Sequence, residues 1–252
     1  MPMTKVYFVG AGPGDPELMT LKGLRVLRRA DLVIYPGSLI PRESVEEWCP
    51  NAELVDSHGK TLEELVETMV EAVEDDRTVV RLVSGDPFIY SSLYEQVLEL
   101  RRRGVNYEVI PGVSSVNAAA AALGEELTKP GISQTVILTR PAGRTGKPEG
   151  ESLSELAKHG CTMVIFLGAA YLERIVKSLL EGEYDEDTPA AVVYKASTPE
   201  EKVILGTLGD IAEKAREEGI DRTALIIVGD VLKEEGGRSH LYSEEYARRV
   251  RG

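Results

Sequence analysis

Cysteine is nearly absent: there are 2 in 252 residues, Cys49 and Cys161, far apart in the chain. That excludes a disulfide-stapled secreted scaffold and fits a reducing cytosol. Histidine is almost as scarce, with His58, His159 and His240 scattered. Without an H-x-x-x-H or C-x-x-C spacing, no metal centre is expected and no nucleophile–base pair stands out. Positive charge is in deficit, since 29 Lys and Arg against 42 Asp and Glu leave a net charge of −13. Such a field repels phosphate backbones, so nucleic acid is not an expected partner. No apolar run approaches the ~20 residues that span a bilayer, and no membrane partner is expected. The glycine loop that begins at Gly10 leaves no room for a signal peptide. A soluble, acidic, cytoplasmic protein is expected. It can bury roughly 70–75% of its unfolded surface and needs no staple.

The chain has a regular order of apolar segments. Val6–Val9, Leu32–Tyr35, Val79–Val83 and Tyr107–Ile110 read as strands. Between them, helical spacing joins Leu21, Leu24 and Leu27, then Leu62, Leu65, Val66, Met69, Val70 and Val73. A third helix is predicted from about Ile89 to Arg103, stopped by Gly104. Strands separated by helices imply βαβ crossovers and a largely parallel sheet. The second half differs. Thr135–Leu138, Met163–Leu167, Ala191–Tyr194, Val203–Leu205 and Leu225–Val228 read as strands, and only eight residues separate the third from the fourth. That gap is too short for a crossover helix, so these two should pair antiparallel in a mixed sheet. The helix Val113–Leu123 lies between the halves and places domains at 1–116 and 117–252. The tail Ser243–Gly252 reads either as a helix or as a frayed end.

Parallel sheets take ligands beyond the carboxyl ends of their strands. The first strand runs into Gly10-Ala11-Gly12-Pro13-Gly14-Asp15, the third into Ser84-Gly85-Asp86-Pro87 and the fourth into Pro111-Gly112-Val113-Ser114-Ser115. Glycine in three turns at one edge points to a ligand approached closely by backbone. The first loop is not the dinucleotide fingerprint, because Asp15 stands where that motif wants glycine or alanine. Tyr35-Pro36 also ends the second strand without a ribose-binding acid. For this loop, nucleotide binding and a plain strand-to-helix turn both remain open. His58, within Asp56-Ser57-His58-Gly59-Lys60, is open between a substrate contact and loop structure. The stretch Thr139–Pro148 sets Arg140, Arg144 and Lys147 among glycines in a strongly acidic chain. It is either a solvated loop or a basic pocket for a polycarboxylate or phosphate, which the planar fork of arginine would suit.

Taken together, Val9–Asp15 with Leu18–Gly23, then Ala30–Tyr35, Arg81–Tyr90 and Val109–Ser115, resemble the S-adenosylmethionine-dependent tetrapyrrole (precorrin) methyltransferases. The similarity covers nearly the whole chain in order and spacing. Tyr35–Leu39, Val113–Leu123 and Glu126–Pro130 leading to Gln134–Arg140 resemble the branch acting at carbon 11 of precorrin-4 or cobalt-precorrin-4, in cobalamin biosynthesis. Uroporphyrinogen-III methylases usually carry aspartate where Pro36 stands.

The resemblance implies two αβα domains, the first with a parallel sheet and the second mixed, with the site in the cleft between them, in a homodimer. It implies that S-adenosylmethionine is held by Pro13, Ser84, Gly85, Asp86, Ile89, Ser114 and Ser115, and by Leu167, Ala196 and the Thr223-Ala224 turn. A sulfonium methyl is already activated, and in-line alignment near 3–3.5 Å can supply ~7–11 kcal/mol. No catalytic residue is therefore assigned, and Asp86 is expected to orient the cofactor. The many carboxylates of a precorrin point to Lys60, Arg140, Arg144 and Lys147 as substrate-binding residues. Two alternatives stand beside this reading. One is another tetrapyrrole methylase, of uroporphyrinogen III or a different precorrin; the other is a non-catalytic cofactor or tetrapyrrole sensor.

Overall fold

The computed structural model describes residues 5–143, 145–234, 236–239 and 243–251. The chain divides into two compact units, Met1–Ala118 and Ala119–Gly252. In the first, β1 (Val6–Gly10), β2 (Leu32–Tyr35), β3 (Glu53–Asp56), β4 (Val79–Val83) and β5 (Tyr107–Ile110) form a parallel sheet in the order β3-β2-β4-β1-β5. Helices α1 (Leu21–Leu27) and α2 (Arg42–Trp48) cover one face, and α3 (Leu62–Glu74) and α4 (Leu93–Arg102) the other.

The period of two along a strand sets this division. Val6, Phe8, Leu32, Ile34 and Val79 pack toward α3 and α4, while Val9, Val33, Tyr35, Val80 and Leu82 pack toward α1 and α2. Burial on both faces is why β2 is apolar throughout. The start of α3 is fixed by a capping box, in which Thr61 Oγ1 accepts from Glu64 N at 3.2 Å and Glu64 Oε2 accepts from Thr61 N at 2.8 Å.

Arg81 breaks the apolar rule in β4. It is buried, and its Nε donates to Gln96 Oε1 at 3.2 Å while a terminal nitrogen donates to the Leu82 carbonyl at 3.1 Å. Burial pulls the guanidinium down to about 10, against the field of Asp56. Gln96 in turn donates to the Ser92 carbonyl at 3.1 Å. Ser92 (φ 57) and Tyr90 (φ 51) are left-handed, which a right-handed helix cannot include. Hence α4 begins at Leu93, four residues later than apolar spacing predicts.

In the second unit, β6 (Val136–Thr139), β7 (Thr162–Ile165), β8 (Pro189–Tyr194), β9 (Lys202–Thr207) and β10 (Ala224–Val228) form a mixed sheet in the order β6-β7-β10-β8-β9. Only β6 and β7 run parallel, and the closely spaced β8 and β9 pair antiparallel as their short connection requires. Helix α5 (Ser115–Leu123) carries the chain from one unit to the next. Helices α6 (Leu153–Ala157), α7 (Leu172–Leu179) and α8 (Ile211–Glu217) bury Leu153, Ile175, Leu179 and Ile211 against Met163, Ile165, Val192 and Ile226. The tail forms α9 (Glu244–Arg251). Cys49 and Cys161 are both free and buried.

At the β5 edge, Glu108 lies 2.5 Å from Lys5 and 2.6 Å from Lys22. Hydrogen bonds from Lys22 and Lys5 hold its carboxyl down to about 2, against an ordinary 4.5. A depressed carboxylate stabilises the fold above the unfolded value and loses that contribution as pH falls through the folded one. Because the pair is partly screened by solvent, Glu108→Gln should cost about 1 kcal/mol in urea unfolding at pH 7. The deficit should shrink between pH 4.5 and 2, and a deficit independent of pH would contradict the assignment.

Candidate active site

The sheet order sets β4, β1 and β5 side by side, so the loops that follow them emerge together at one edge. Backbone contacts tie these loops. Ala11 N donates to the Val83 carbonyl at 2.8 Å, and Gly85 N donates to the Gly12 carbonyl at 2.7 Å. Asp86 completes the tie: Oδ2 accepts from Gly112 N at 2.9 Å and Oδ1 from Phe88 N at 2.8 Å. One carboxylate thereby fixes the loops after β4 and β5.

The glycines divide into two kinds. A Cβ on Gly112 would lie 2.3 Å from the Gly85 carbonyl oxygen, and one on Gly10 would lie 2.5 Å from Gly112 N. These two positions serve contact between backbones. Gly85 is different. Its φ is +68°, and a Cβ there would meet only Ser115 N, at 3.8 Å. That turn leaves room beside its Cα, although the residue itself is buried.

The first loop resolves as a turn. Asp15 Oδ1 accepts from Glu17 N at 2.8 Å and starts a short 3-10 turn over Pro16–Leu18, so α1 begins only at Leu21, capped by Thr20. The α1 N-terminus is therefore not aimed from the glycines, as a dinucleotide cradle requires. Pro13, Ser84, Gly85, Asp86, Ile89, Ser114 and Ser115 all lie at this edge. Ile89 N donates to the Asp86 carbonyl at 3.3 Å, and Val116 N donates to the buried Ser114 Oγ at 3.3 Å, at the start of α5. Lys60 is exposed in the loop after β3, farther along the same edge. His58 contributes its backbone: its N–H and that of Gly37 both donate to Asp56 Oδ1 at 2.9 Å and hold that carboxyl below its ordinary value.

The second unit has a corresponding edge of its own. Since β7 and β8 both run antiparallel to β10, their carboxyl ends share an edge with the start of β10, and β6 ends there too. Leu167, Ala196, Thr223 and Ala224 lie on it, with the basic loop after β6. Leu167 (φ 53) and Thr223 (φ 51) are left-handed, as are both neighbours of Ala196, Lys195 (φ 44) and Ser197 (φ 67). Left-handed backbone costs non-glycine residues roughly 1–2 kcal/mol each, and such strain concentrates at functional sites. Leu167 is also 69% exposed, unusual for a leucine held in strain. Lys195 and Ser197 carry no sign of this in sequence, because neither residue type favours φ > 0.

Arg140 is turned into its own loop, donating to the carbonyls of Pro141 at 3.0 Å and Gly146 at 2.7 Å and to Thr145 Oγ1 at 3.0 Å. Lys147 Nζ donates to Thr139 Oγ1 at 2.8 Å. Burial lowers the Lys147 pKa, with Arg140 adding to the effect and Glu151 opposing it. Arg144 and His240 lie outside the described residues. Among the described residues, no three His, Cys, Asp or Glu side chains gather as a metal site.

Two α/β units, one parallel and one mixed, carry tied glycine loops at a sheet edge, and comparison with known families identifies the chain as a methyltransferase. The model of the tetrapyrrole (corrin/porphyrin) methylases matches residues 5–212, and the chain belongs to that family. The cobalt-precorrin-4 C(11)-methyltransferase of Methanocaldococcus jannaschii is 53% identical over 242 residues, covering 96% of this chain and 92% of that protein. The X-ray structure of a cobalamin biosynthetic enzyme, a cobalt precorrin-4 methyltransferase, matches with a TM-score of 0.88 at 45% identity, over 91% of this chain and 96% of that one. Uroporphyrin-III C-methyltransferase from Thermus thermophilus, complexed with S-adenyl homocysteine, matches with a TM-score of 0.76 at 35% identity, over 90% and 98% of the two chains.

The two kinds of glycine predict different costs. Gly112→Ala drives a Cβ into the Gly85 carbonyl and should destabilise by about 3 kcal/mol. Gly104→Ala, at φ +70° with nothing within 4 Å of the new Cβ, should cost only about 1 kcal/mol. Urea unfolding of both variants checks the order. Equal costs would mean that the glycine contact is not tight.

Proposed function

We propose that this chain transfers the methyl group of S-adenosylmethionine to carbon 11 of precorrin-4, with or without cobalt, in corrin-ring biosynthesis. The observation that carries the reading is the tied edge of the first unit, where Asp86 joins the loops after β4 and β5 in a chain of the tetrapyrrole methylase family. When bound, the cofactor supplies a methyl group on a sulfonium that leaves without help from a protein acid. The residues present fit such a molecule. The Gly85 turn leaves room beside its Cα, with Ser84 next to it in the chain and Ser115 N 3.8 Å from where a Cβ would stand. The Asp86 carboxylate keeps its two loops in one shape, so the cofactor meets a seat already formed.

The role left to the protein is positioning. Neither buried cysteine is an activated nucleophile: burial pushes the Cys49 thiol up to about 11 and also raises that of Cys161. Pro13, Ile89 and Ser114 in the first unit, and Leu167, Ala196, Thr223 and Ala224 in the second, are the further residues proposed to bind the cofactor. Their strained backbone supports this assignment. Lys60, Arg144 and Lys147 hold substrate carboxylates, and Arg140, which donates to Pro141, Thr145 and Gly146, holds its own loop in shape. The same resemblance supports a homodimer in the cytoplasm, and among the described residues no helix is long and apolar enough to cross a membrane.

The test is incubation with methyl-labelled S-adenosylmethionine and, separately, precorrin-4, cobalt-precorrin-4 and uroporphyrinogen III. One methyl at carbon 11 of a precorrin-4 species is expected. Transfer to uroporphyrinogen III alone would move the enzyme to another step, and cofactor binding without any transfer would favour a sensor.

A further inference from the structure

Beside the basic loop of the second unit lies a cavity of about 260 Å³. Its polar lining consists of Lys147, Tyr171, Arg174, Ser152, Ser154 and Ser178, and among the described residues no acidic side chain lines it. Two cations without an acid are unexpected in a chain of net charge −13. The neighbouring cations are engaged. Arg140 holds its own loop, Arg216 meets Glu173 at 2.9 Å and Lys158 meets Glu155 at 2.6 Å.

Arg174 is not engaged in this way. Its guanidinium lies 5.7 Å from the centre of the Tyr171 ring, and it makes no ion pair or hydrogen bond with a described residue. Its adjacent acid, Glu173, is turned to Arg216. The fork of five N–H donors is left for a ligand. Lys147 gives one of three ammonium protons to Thr139. Partial burial disfavours its charge, so an anion placed beside it would restore what desolvation removes. The serine hydroxyls add further donors.

We propose that this cavity seats a carboxylate arm of the tetrapyrrole substrate, with Arg174 and Lys147 as its cationic partners; the inference rests on the function proposed above. The volume suits an acetate or propionate arm and is too small for a four-ring macrocycle. A planar carboxylate matches the arginine fork with two parallel hydrogen bonds, which fixes direction as well as charge. Anchoring one arm orients the ring edge, and ring orientation decides which carbon meets the methyl group. In sequence, Arg174 reads only as one charge on a helix surface.

Arg174 is exposed, so truncating it leaves the core intact. The test compares wild type, Arg174→Ala and Arg174→Lys in methyl transfer to cobalt-precorrin-4, with the affinity for S-adenosylhomocysteine measured alongside. For Arg174→Ala, KM for the tetrapyrrole should rise about tenfold, with kcat and S-adenosylhomocysteine affinity changed less than about twofold. Arg174→Lys should recover part of the loss, because it keeps the charge and loses the fork. A cobalt-precorrin-4 with its carboxyls esterified should bind wild type and Arg174→Ala alike. An active wild type with unchanged KM in Arg174→Ala overturns this inference alone. A wild type that methylates no tetrapyrrole overturns the function as well.

Discussion

The carboxylate of Asp86 is the interaction on which the first unit's functional edge depends. It accepts the Gly112 N–H with one oxygen and the Phe88 N–H with the other, and so joins two loops that leave different strands. The close backbone contact of Gly10, Gly85 and Gly112 is possible only without side chains at the first and last of these positions. Each feature requires the other. Without the carboxylate, the loops would lack the bond that holds them in contact. With a side chain at Gly112, they could not approach closely enough for the bond to form. Hydrogen bonds to a charged group contribute more than neutral ones, about 1.5–3 kcal/mol each, which makes one aspartate enough to hold the edge.

The second unit stabilises its edge differently. Among the described residues, no comparable carboxylate ties its loops; four non-glycine residues, Leu167, Lys195, Ser197 and Thr223, are held left-handed. The buried ladder of β7, β10 and β8 supports that strain, since Met163, Ile165, Val192 and Ile226 are fully enclosed. Charge is also distributed unevenly. The chain as a whole is strongly acidic, yet the cavity beside β6 is lined by two cations and no acid among the described residues. A local basic pocket within an acidic surface favours a carboxylate ligand over a nucleic-acid backbone, which would meet repulsion everywhere else.

Much of the fold was legible because its causes are local. β2 matches the apolar run Leu32–Tyr35, since a strand buried on both faces must be apolar throughout, and β4 and β5 match the runs Val79–Val83 and Tyr107–Ile110 although Arg81 and Glu108 interrupt them. The seven residues between β8 and β9 forced an antiparallel pair. Other elements were hidden for equally physical reasons. β3 has charged residues at both ends and lies at the sheet edge, so its burial pattern is too partial to read. The late start of α4 follows from the left-handed backbone of Tyr90 and Ser92, which neither residue type announces. At the site, motif resemblance located the loops but not their mechanics. That Gly10 and Gly112 meet each other, and that Asp86 joins two loops, follows from strand order, which no single segment encodes. Lys195, Ser197 and Arg174 gave no sign, because strain and an unengaged guanidinium exist only in three dimensions.

On the function proposed above, Asp86 gives the cofactor seat its shape. Calorimetric titration of Asp86→Asn with S-adenosylhomocysteine tests this most directly, because asparagine keeps the size and one acceptor but cannot accept from both Phe88 and Gly112. The dissociation constant should rise about tenfold or more, while circular dichroism shows the fold retained. An unchanged dissociation constant in a folded variant would contradict the account, and the seat would then have to be sought away from this edge.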